Sequence, residues 1–186
     1  MKRCLMVALL LMSGVALAQA PRVRGIVESA DDSTLRIKGP GGSSTEVRLE
    51  EKTQLLFMQP IAFEDIKSGD FLAITSLKRP DGTLAAAEIR RFPKPVSPGH
   101  RPFEGRDDQT MTNATVSATV EASAGRELTM TYEGGAQKIV VPPSAFISML
   151  VPGTRAQLVP GTIVSIAATP GADGKPTATQ VQFRAP

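Results

Sequence analysis

The sequence predicts an all-β protein made of two tandem small five-stranded barrels, and three observations carry this prediction. The chain repeats itself at an offset of about 92 residues, both copies alternate apolar and polar residues at period two, and both copies place an Asp-Gly turn before their last strand. The recurring positions include Gly69 and Gly161, Ile74 and Ile166, and Asp81-Gly82 and Asp173-Gly174. Turn residues and apolar positions recur together, which indicates two related domains instead of one long core.

The first residues predict a secretory leader. Lys2 and Arg3 give a basic start, Leu5–Leu11 is an apolar run, and Ala16-Leu17-Ala18 supplies the small residues that a signal peptidase needs. We therefore expect residues 1–18 to be removed by cleavage after Ala18. The alternative is a retained membrane anchor, but the apolar run is short against the roughly 20 residues that span a bilayer.

Composition excludes several classes of function once the leader is removed. Cys4 is the only cysteine and lies in the leader, so disulfides, thiolate metal sites and cysteine nucleophiles are not expected in the remaining chain. Loss of Lys2 and Arg3 leaves 19 basic against 18 acidic residues. A nucleic-acid binder needs a basic surplus and stacking aromatics, whereas this chain has no Trp and one Tyr, so we expect no nucleic-acid partner.

The first three strands of each copy follow from the alternation. In the first copy Val23, Gly25 and Val27 share a face, and Leu35 with Ile37 and Val47 with Leu49 continue the pattern on the next two strands. The predicted counterparts in the second copy are Val116, Ala118, Val120, Leu128, Met130, Ile139 and Val141, with Val27 set against Val120. A slip of one residue would turn every one of these faces outward, so the repeated phase supports the register.

The remaining elements are a crossing segment and a hairpin. Ala62–Ile66 is predicted to form one helical turn, which Pro152, Gly153 and Pro160 disfavour in the second copy. Phe71–Thr75 and Ile163–Ala167 are apolar runs, each followed by the Asp-Gly turn and a final strand. Five strands in about 70 residues suit a Greek-key barrel of the oligonucleotide/oligosaccharide-binding type, since closure removes exposed edges. The predicted domains are residues 22–92 and 115–186, joined by the proline-rich linker 93–114.

Several of these motifs resemble a known family. Ile66-Lys67-Ser68-Gly69-Asp70, and Arg79-Pro80-Asp81-Gly82-Thr83-Leu84 followed by Ala87-Glu88-Ile89, are similar to the domain-of-unknown-function family 5666, here in tandem. The linker segments 99–103 and 110–115 resemble exported bacterial proteins with the same layout. The resemblance implies small β-barrels in a Gram-negative periplasm and no established activity. Some relatives carry a metal ABC transporter permease label, but a permease needs spans of about 20 apolar residues, and residues 19–186 contain none.

Candidate site residues gather in the linker. His100 is the only histidine, so any Ser/His/Asp arrangement must use it, and it lies in a connector for which no strand or helix is predicted. His100, Glu104, Asp107 and Asp108 are weak candidates for a divalent metal site, although oxygen-rich loops are also common simply because loops are wet. His100 and Phe103 are instead expected to pack between the barrels and fix their orientation, because the prolines reduce the entropy cost of ordering this segment.

The sequence therefore predicts a non-catalytic periplasmic binding or interaction module without a cofactor. Its partner is an unidentified protein, glycan or small ligand, and residues 19–186 contain no membrane span. A metal-handling accessory protein that uses the His100 loop is the first alternative, and a hydrolase that uses carboxylates is the second. Asp70 has no acidic counterpart in the second copy, which has Thr162 there, so the resemblance assigns it no role.

Overall fold

The computed structural model describes residues 22–122, 125–171 and 174–186, and this part of the chain is all-β. The predicted leader, its cleavage site after Ala18 and Asp173 lie outside the described residues. The strands are β1 (Arg22–Ala30), β2 (Thr34–Lys38), β3 (Ser44–Pro60), β4 (Phe71–Lys78), β5 (Leu84–Phe92), β6 (Gly99–Phe103), β7 (Arg106–Ala122), β8 (Gly125–Tyr132), β9 (Gly135–Val141), β10 (Phe146–Pro152), β11 (Ile163–Pro170) and β12 (Pro176–Arg184). Single 3₁₀ turns at Phe63–Asp65 and Arg155–Gln157 precede β4 and β11.

Strand pairing closes two five-stranded rings. Ring A runs β1, β2, β3, β12, β11 and back to β1, and ring B runs β4, β5, β9, β8, β7 and back to β4. Each ring therefore contains three strands from one copy of the repeat and two from the other. This corrects the predicted boundaries, because neither 22–92 nor 115–186 forms a closed ring by itself.

The long strand β3 explains the exchange. Its 17 residues, about 55 Å at 3.3 Å per residue, continue past ring A and deliver the chain to ring B instead of turning back. The second half of β3 pairs with β10 in antiparallel register, with Met58 opposite Leu150. These two residues are counterparts at the offset of 92, so an approximate twofold axis passes between them. β10 then pairs in parallel with β5, as β3 does with β12.

Each ring encloses its own apolar core, and both copies contribute to each core. Ring A buries Val27, Leu35, Ile37, Val47 and Leu49 from the first copy with Leu158, Val164, Ile166, Ala168, Ala178, Val181 and Phe183 from the second. Ring B mixes the copies in the same way, with Leu72, Ile74 and Ile89 from the first packed against Leu128, Met130 and Ile139 from the second. The predicted inward positions on the second and third strands are confirmed by this burial.

A chain of polar side chains connects the two rings. Arg90 on β5 donates from Nε to Glu88 Oε1 (2.7 Å) and from Nη1 to Gln182 Oε1 on β12 (2.8 Å). Gln182, only 4% exposed, donates to Gln180 Oε1 (2.9 Å), and Gln180 donates to Gln54 Oε1 on β3 (2.8 Å). A hydrogen-bond network that includes a buried amide favours one relative arrangement of the elements that it joins. This network therefore helps to fix the orientation of the rings.

The predicted Gly-containing hairpin turns recur with the same geometry. Gly82 has φ +84° and donates to Arg79 O (2.9 Å), and Gly174 has φ +78° and donates to Gly171 O (3.0 Å). The helical turn predicted in the first copy is confirmed at Phe63–Asp65. The second copy was expected to lack such a turn, and this was wrong, since Arg155–Gln157 forms the counterpart. Its prolines lie outside the turn, where they cost no helical hydrogen bond.

Two predictions about the start of the second copy need correction. Val27 pairs with Ile37, and the equivalent partner of Met130 is Val116, so the counterpart of Val27 is Val116 and not Val120. A shift of four residues keeps the period-two phase, which is why alternation did not detect it. The predicted linker 93–114 contains strand β6 and the first part of β7, which pairs with β4 from Gln109 onward.

Candidate functional site

The two rings close differently at the end where the 3₁₀ turns lie. In ring A the plug is Phe183 on β12, which is fully buried and packs on Phe57 with ring centroids 5.6 Å apart. In ring B the plug is Phe63 on the 3₁₀ turn, which is 5% exposed and has the Arg126 guanidinium 5.0 Å from its ring centre. At the offset of 92, Phe183 corresponds to Arg91 and Phe63 to Arg155. Arginine and phenylalanine have thus exchanged places between the rings.

The exchange leaves a groove at ring B. We call it the Arg91 groove; it has a volume of about 380 Å³, and its walls include Asp70, Arg91, Phe92, Pro93, Pro95 and Met149. This volume lies near the lower limit, about 300 Å³, of small-molecule sites. Arg91 is at an inward position two residues beyond the buried Ile89, opposite Leu72 on β4, so strand alternation directs it to the end of the barrel.

Arg91 is held at the groove by one normal hydrogen bond and two weaker contacts. Its Nη1 donates to Asp65 O (2.9 Å) and lies 3.5 Å from Asp70 Oδ2, and its Nη2 lies 3.4 Å from Met149 Sδ. A separation of 3.5 Å is at the limit of a hydrogen bond, and a thioether is a weak acceptor. Both side chains of the Asp70–Arg91 pair are 25% exposed. The guanidinium therefore keeps donor capacity that faces the groove.

Asp70 is positioned by the backbone before β4. Its Oδ2 accepts the Lys67 N–H (2.9 Å), and its own carbonyl accepts the Val116 N–H (2.8 Å), which attaches this corner to β7. Gly69 makes the corner possible with φ +94°, a conformation that L residues rarely adopt. The carboxylate and the guanidinium thus lie side by side at the mouth of an otherwise mostly apolar groove.

His100 lies at a different part of ring B. It is on β6, opposite Thr112 of β7, and its Nδ1 is 2.8 Å from Thr112 Oγ1. Its ring stacks on Tyr132 of β8 with centroids 6.4 Å apart and an interplanar angle of 19°. Partial burial lowers the pKa of His100 below its ordinary value. A strand therefore holds this residue, contrary to the expectation of a connector without secondary structure.

The other linker candidates spread in separate directions. The β6–β7 turn at Glu104-Gly105 brings Glu104 Oε1 to 2.5 Å from Arg24 Nη2, and the Arg24 guanidinium lies 5.7 Å from the Phe103 ring centre. Phe103 and Glu104 therefore contact β1 of ring A, whereas the contacts of His100 are with ring B. Asp108 forms a bidentate pair with Arg106, which lowers the pKa of the Asp108 carboxyl, and Asp107 is exposed.

The structure does not bring the four metal candidates together. Within the described ranges, no group of three or more His, Cys, Asp or Glu side chains is placed to hold a metal ion. Glu104 and Asp108 each use a carboxylate oxygen on an arginine instead. As for membranes, none of the described residues belongs to a helix with the length and apolarity that a bilayer span requires.

Sequence reasoning missed Arg91 and assigned no role to Asp70. The signal was present in the comparison of the copies, where Asp70 stands against Thr162 and Arg91 against Phe183. A charged pair in one copy that is replaced by a threonine and a phenylalanine in the other marks a position where the two rings differ. The sequence difference identifies a groove only once β5 pairs with β10, because this pairing places Met149 directly beside Arg91.

These features define a small all-β barrel protein with a groove at one end of a ring. Residues 24–90 match the model of a family described as "Domain of unknown function (DUF5666)". The matched residues reach from β1 of ring A to β5 of ring B, so the matched segment contributes to both rings. The chain matches no curated protein and no solved structure.

Proposed function

We propose that this protein is a non-catalytic binding module of the periplasm, exported by cleavage after Ala18, and that the Arg91 groove holds a small ligand. The observation that carries the proposal is the difference between the two ring ends. The same position of the scaffold is filled by Phe183 in ring A and bears Arg91 in ring B. An apolar residue at this position would bury more surface, so the arginine is better explained by binding than by stability.

The size and chemistry of the groove favour the small ligand among the three classes of partner expected from the sequence. A protein interface involves roughly 20–30 residues on each partner, whereas nine residues line this groove. The groove combines an apolar surface with two convergent charged groups, which is the usual composition of a small-molecule site. The lone histidine is engaged with Thr112 and Tyr132, away from Arg91, which supports a role in binding without catalysis.

The first test is a titration with 1-anilinonaphthalene-8-sulfonate, which joins an apolar body to one anionic group. Amide chemical shifts should change at Gly69, Phe71 and Thr115, which line the groove. Arg91→Phe copies the ring A plug and should abolish these changes. Arg79→Phe, in the exposed β4–β5 turn, is the matched control and should leave them intact. Absence of binding, or shifts that persist in Arg91→Phe, would refute the groove as the ligand site.

A further inference from the structure

The charges of the Arg91 groove cancel, which limits the ligand that it fits. Arg91 and Asp70 lie side by side and each is 25% exposed, so a ligand with one charge meets a like charge as well as an opposite one. The attraction of an ion to one member of the pair and its repulsion from the other are similar in size, because the magnitude of the Coulomb energy depends only on distance and local dielectric. A ligand with both signs avoids this conflict.

Each member of the pair also has unused hydrogen-bonding capacity. Within the described part of the chain, Asp70 Oδ1 and Arg91 Nε make no hydrogen bond, and the strongest partner of Arg91 Nη2 is a thioether sulfur. Arginine recognises a carboxylate through two parallel N–H donors. An aspartate oxygen accepts from an ammonium group. The two charged groups of the ligand therefore have one partner each.

The rest of the groove indicates the body of the ligand. Phe92, Pro93, Pro95 and Met149 present apolar surface around the pair, and the volume of about 380 Å³ limits the ligand to a small molecule. We infer that the ligand is a zwitterion with adjacent ammonium and carboxylate groups on a compact apolar body, the chemistry of an apolar α-amino acid. This inference rests on the proposed function, since it names the ligand class of the same groove.

The test uses three compounds that share one apolar body: L-phenylalanine, phenethylamine, which lacks the carboxylate, and 3-phenylpropionate, which lacks the ammonium. L-phenylalanine should bind about tenfold to a hundredfold more tightly than either of the others, the factor expected for one charge-assisted hydrogen bond. Arg91→Gln should reduce the affinity for L-phenylalanine about tenfold to a hundredfold and, because it removes a like charge, should strengthen the binding of phenethylamine. Asp70→Asn, which retains an acceptor for the Lys67 N–H, should weaken L-phenylalanine by a similar factor and should strengthen the binding of 3-phenylpropionate.

Arg91→Lys keeps the charge without the two parallel donors, so it should restore only part of the loss. Amide spectra of each variant check that the fold is retained. Equal affinities for the three compounds, or 3-phenylpropionate binding as tightly as L-phenylalanine, would overturn the zwitterion. If anilinonaphthalene sulfonate maps to the groove while none of the three compounds does, the inference fails and the binding function stands. If neither anilinonaphthalene sulfonate nor any of the three compounds perturbs the groove, both the inference and the proposed binding function fail.

Discussion

Truncation of Phe183 tests whether the exchanged strands make the two rings one cooperative unit. Phe183 is fully buried in ring A and packs on Phe57, and a Cβ on Gly153 would lie 2.5 Å from its ring, so the site is closely packed. Phe183→Ala should cost about 3–5 kcal/mol of unfolding free energy. For a chain of this size that lowers the melting temperature by roughly 6–20 °C.

Ring B should unfold together with ring A for a topological reason. Seven of the twelve buried core residues of ring A belong to the second copy, whose earlier strands form ring B. When ring A opens, β3 loses its pairing with β12, and the second half of β3 remains bound only through β10, which itself pairs with β5 of ring B. The cost of opening ring A is therefore transmitted to ring B through shared strands.

The chain supplies its own reporter for this test. It has no Trp, and Tyr132, its single Tyr, lies on β8 of ring B. Tyr132 fluorescence reports ring B, and far-ultraviolet circular dichroism reports all strands; both midpoints should fall together in Phe183→Ala. Leu77→Ala, at a residue 44% exposed, is the control and should change stability by less than about 0.5 kcal/mol. An unchanged fluorescence midpoint beside a lowered dichroism midpoint would show independent rings and refute the reasoning.

Two further predictions concern pH and a turn. Burial lowers the pKa of His100 below 6.5, so the unfolded chain binds a proton at a higher pH than the folded chain does. The contribution of His100 to folding stability is therefore complete above pH 6.5 and should be lost as the pH falls through the pKa of the folded state. His100→Gln should remove this part of the pH dependence in urea unfolding. Gly82→Ala places a Cβ at φ +84° and should cost about 1–2 kcal/mol in the same assay, whereas Gly41→Ala, in open space without a positive φ, should be neutral or slightly stabilising. A pH slope unchanged in His100→Gln, or equal effects of the two glycine changes, would contradict them.

The sequence specified which residues face inward but not which strands close each ring. Ile74 and Ile166 are equivalent in local pattern, and each is fully buried as predicted. Alternation is a property of one strand, whereas ring closure depends on the partner that the strand meets, and the two copies offer nearly identical partners. The length of β3 decides between them. Its extended course through Thr53 follows from contacts made only in the fold, such as Thr53 Oγ1 donating to Ala178 O of β12 (2.9 Å).

The candidate site was hidden from the sequence for the same reason. The lone histidine and the acidic residues near it predict a site in the linker, because these residue types carry most catalytic and metal sites. In the structure Glu104 and Asp108 are bound to arginines, and His100 is bound to a threonine. Arg91 and Asp70 are 21 residues apart and read as ordinary strand-end and turn residues until β4 and β5 pair.

The exchange of strands also makes the groove a joint product of the two copies. Asp70 and Arg91 come from the first copy, but Thr115 and Met149, which complete its walls, come from the second. Met149 reaches Arg91 only because β10, which leads from β9 of ring B to β11 of ring A, lies parallel to β5. Two copies folded as separate barrels would place Met149 and Arg91 in different barrels and leave the guanidinium in water. The duplication could then supply stability twice, but the groove requires that the copies be interlaced and that they differ in sequence at its end.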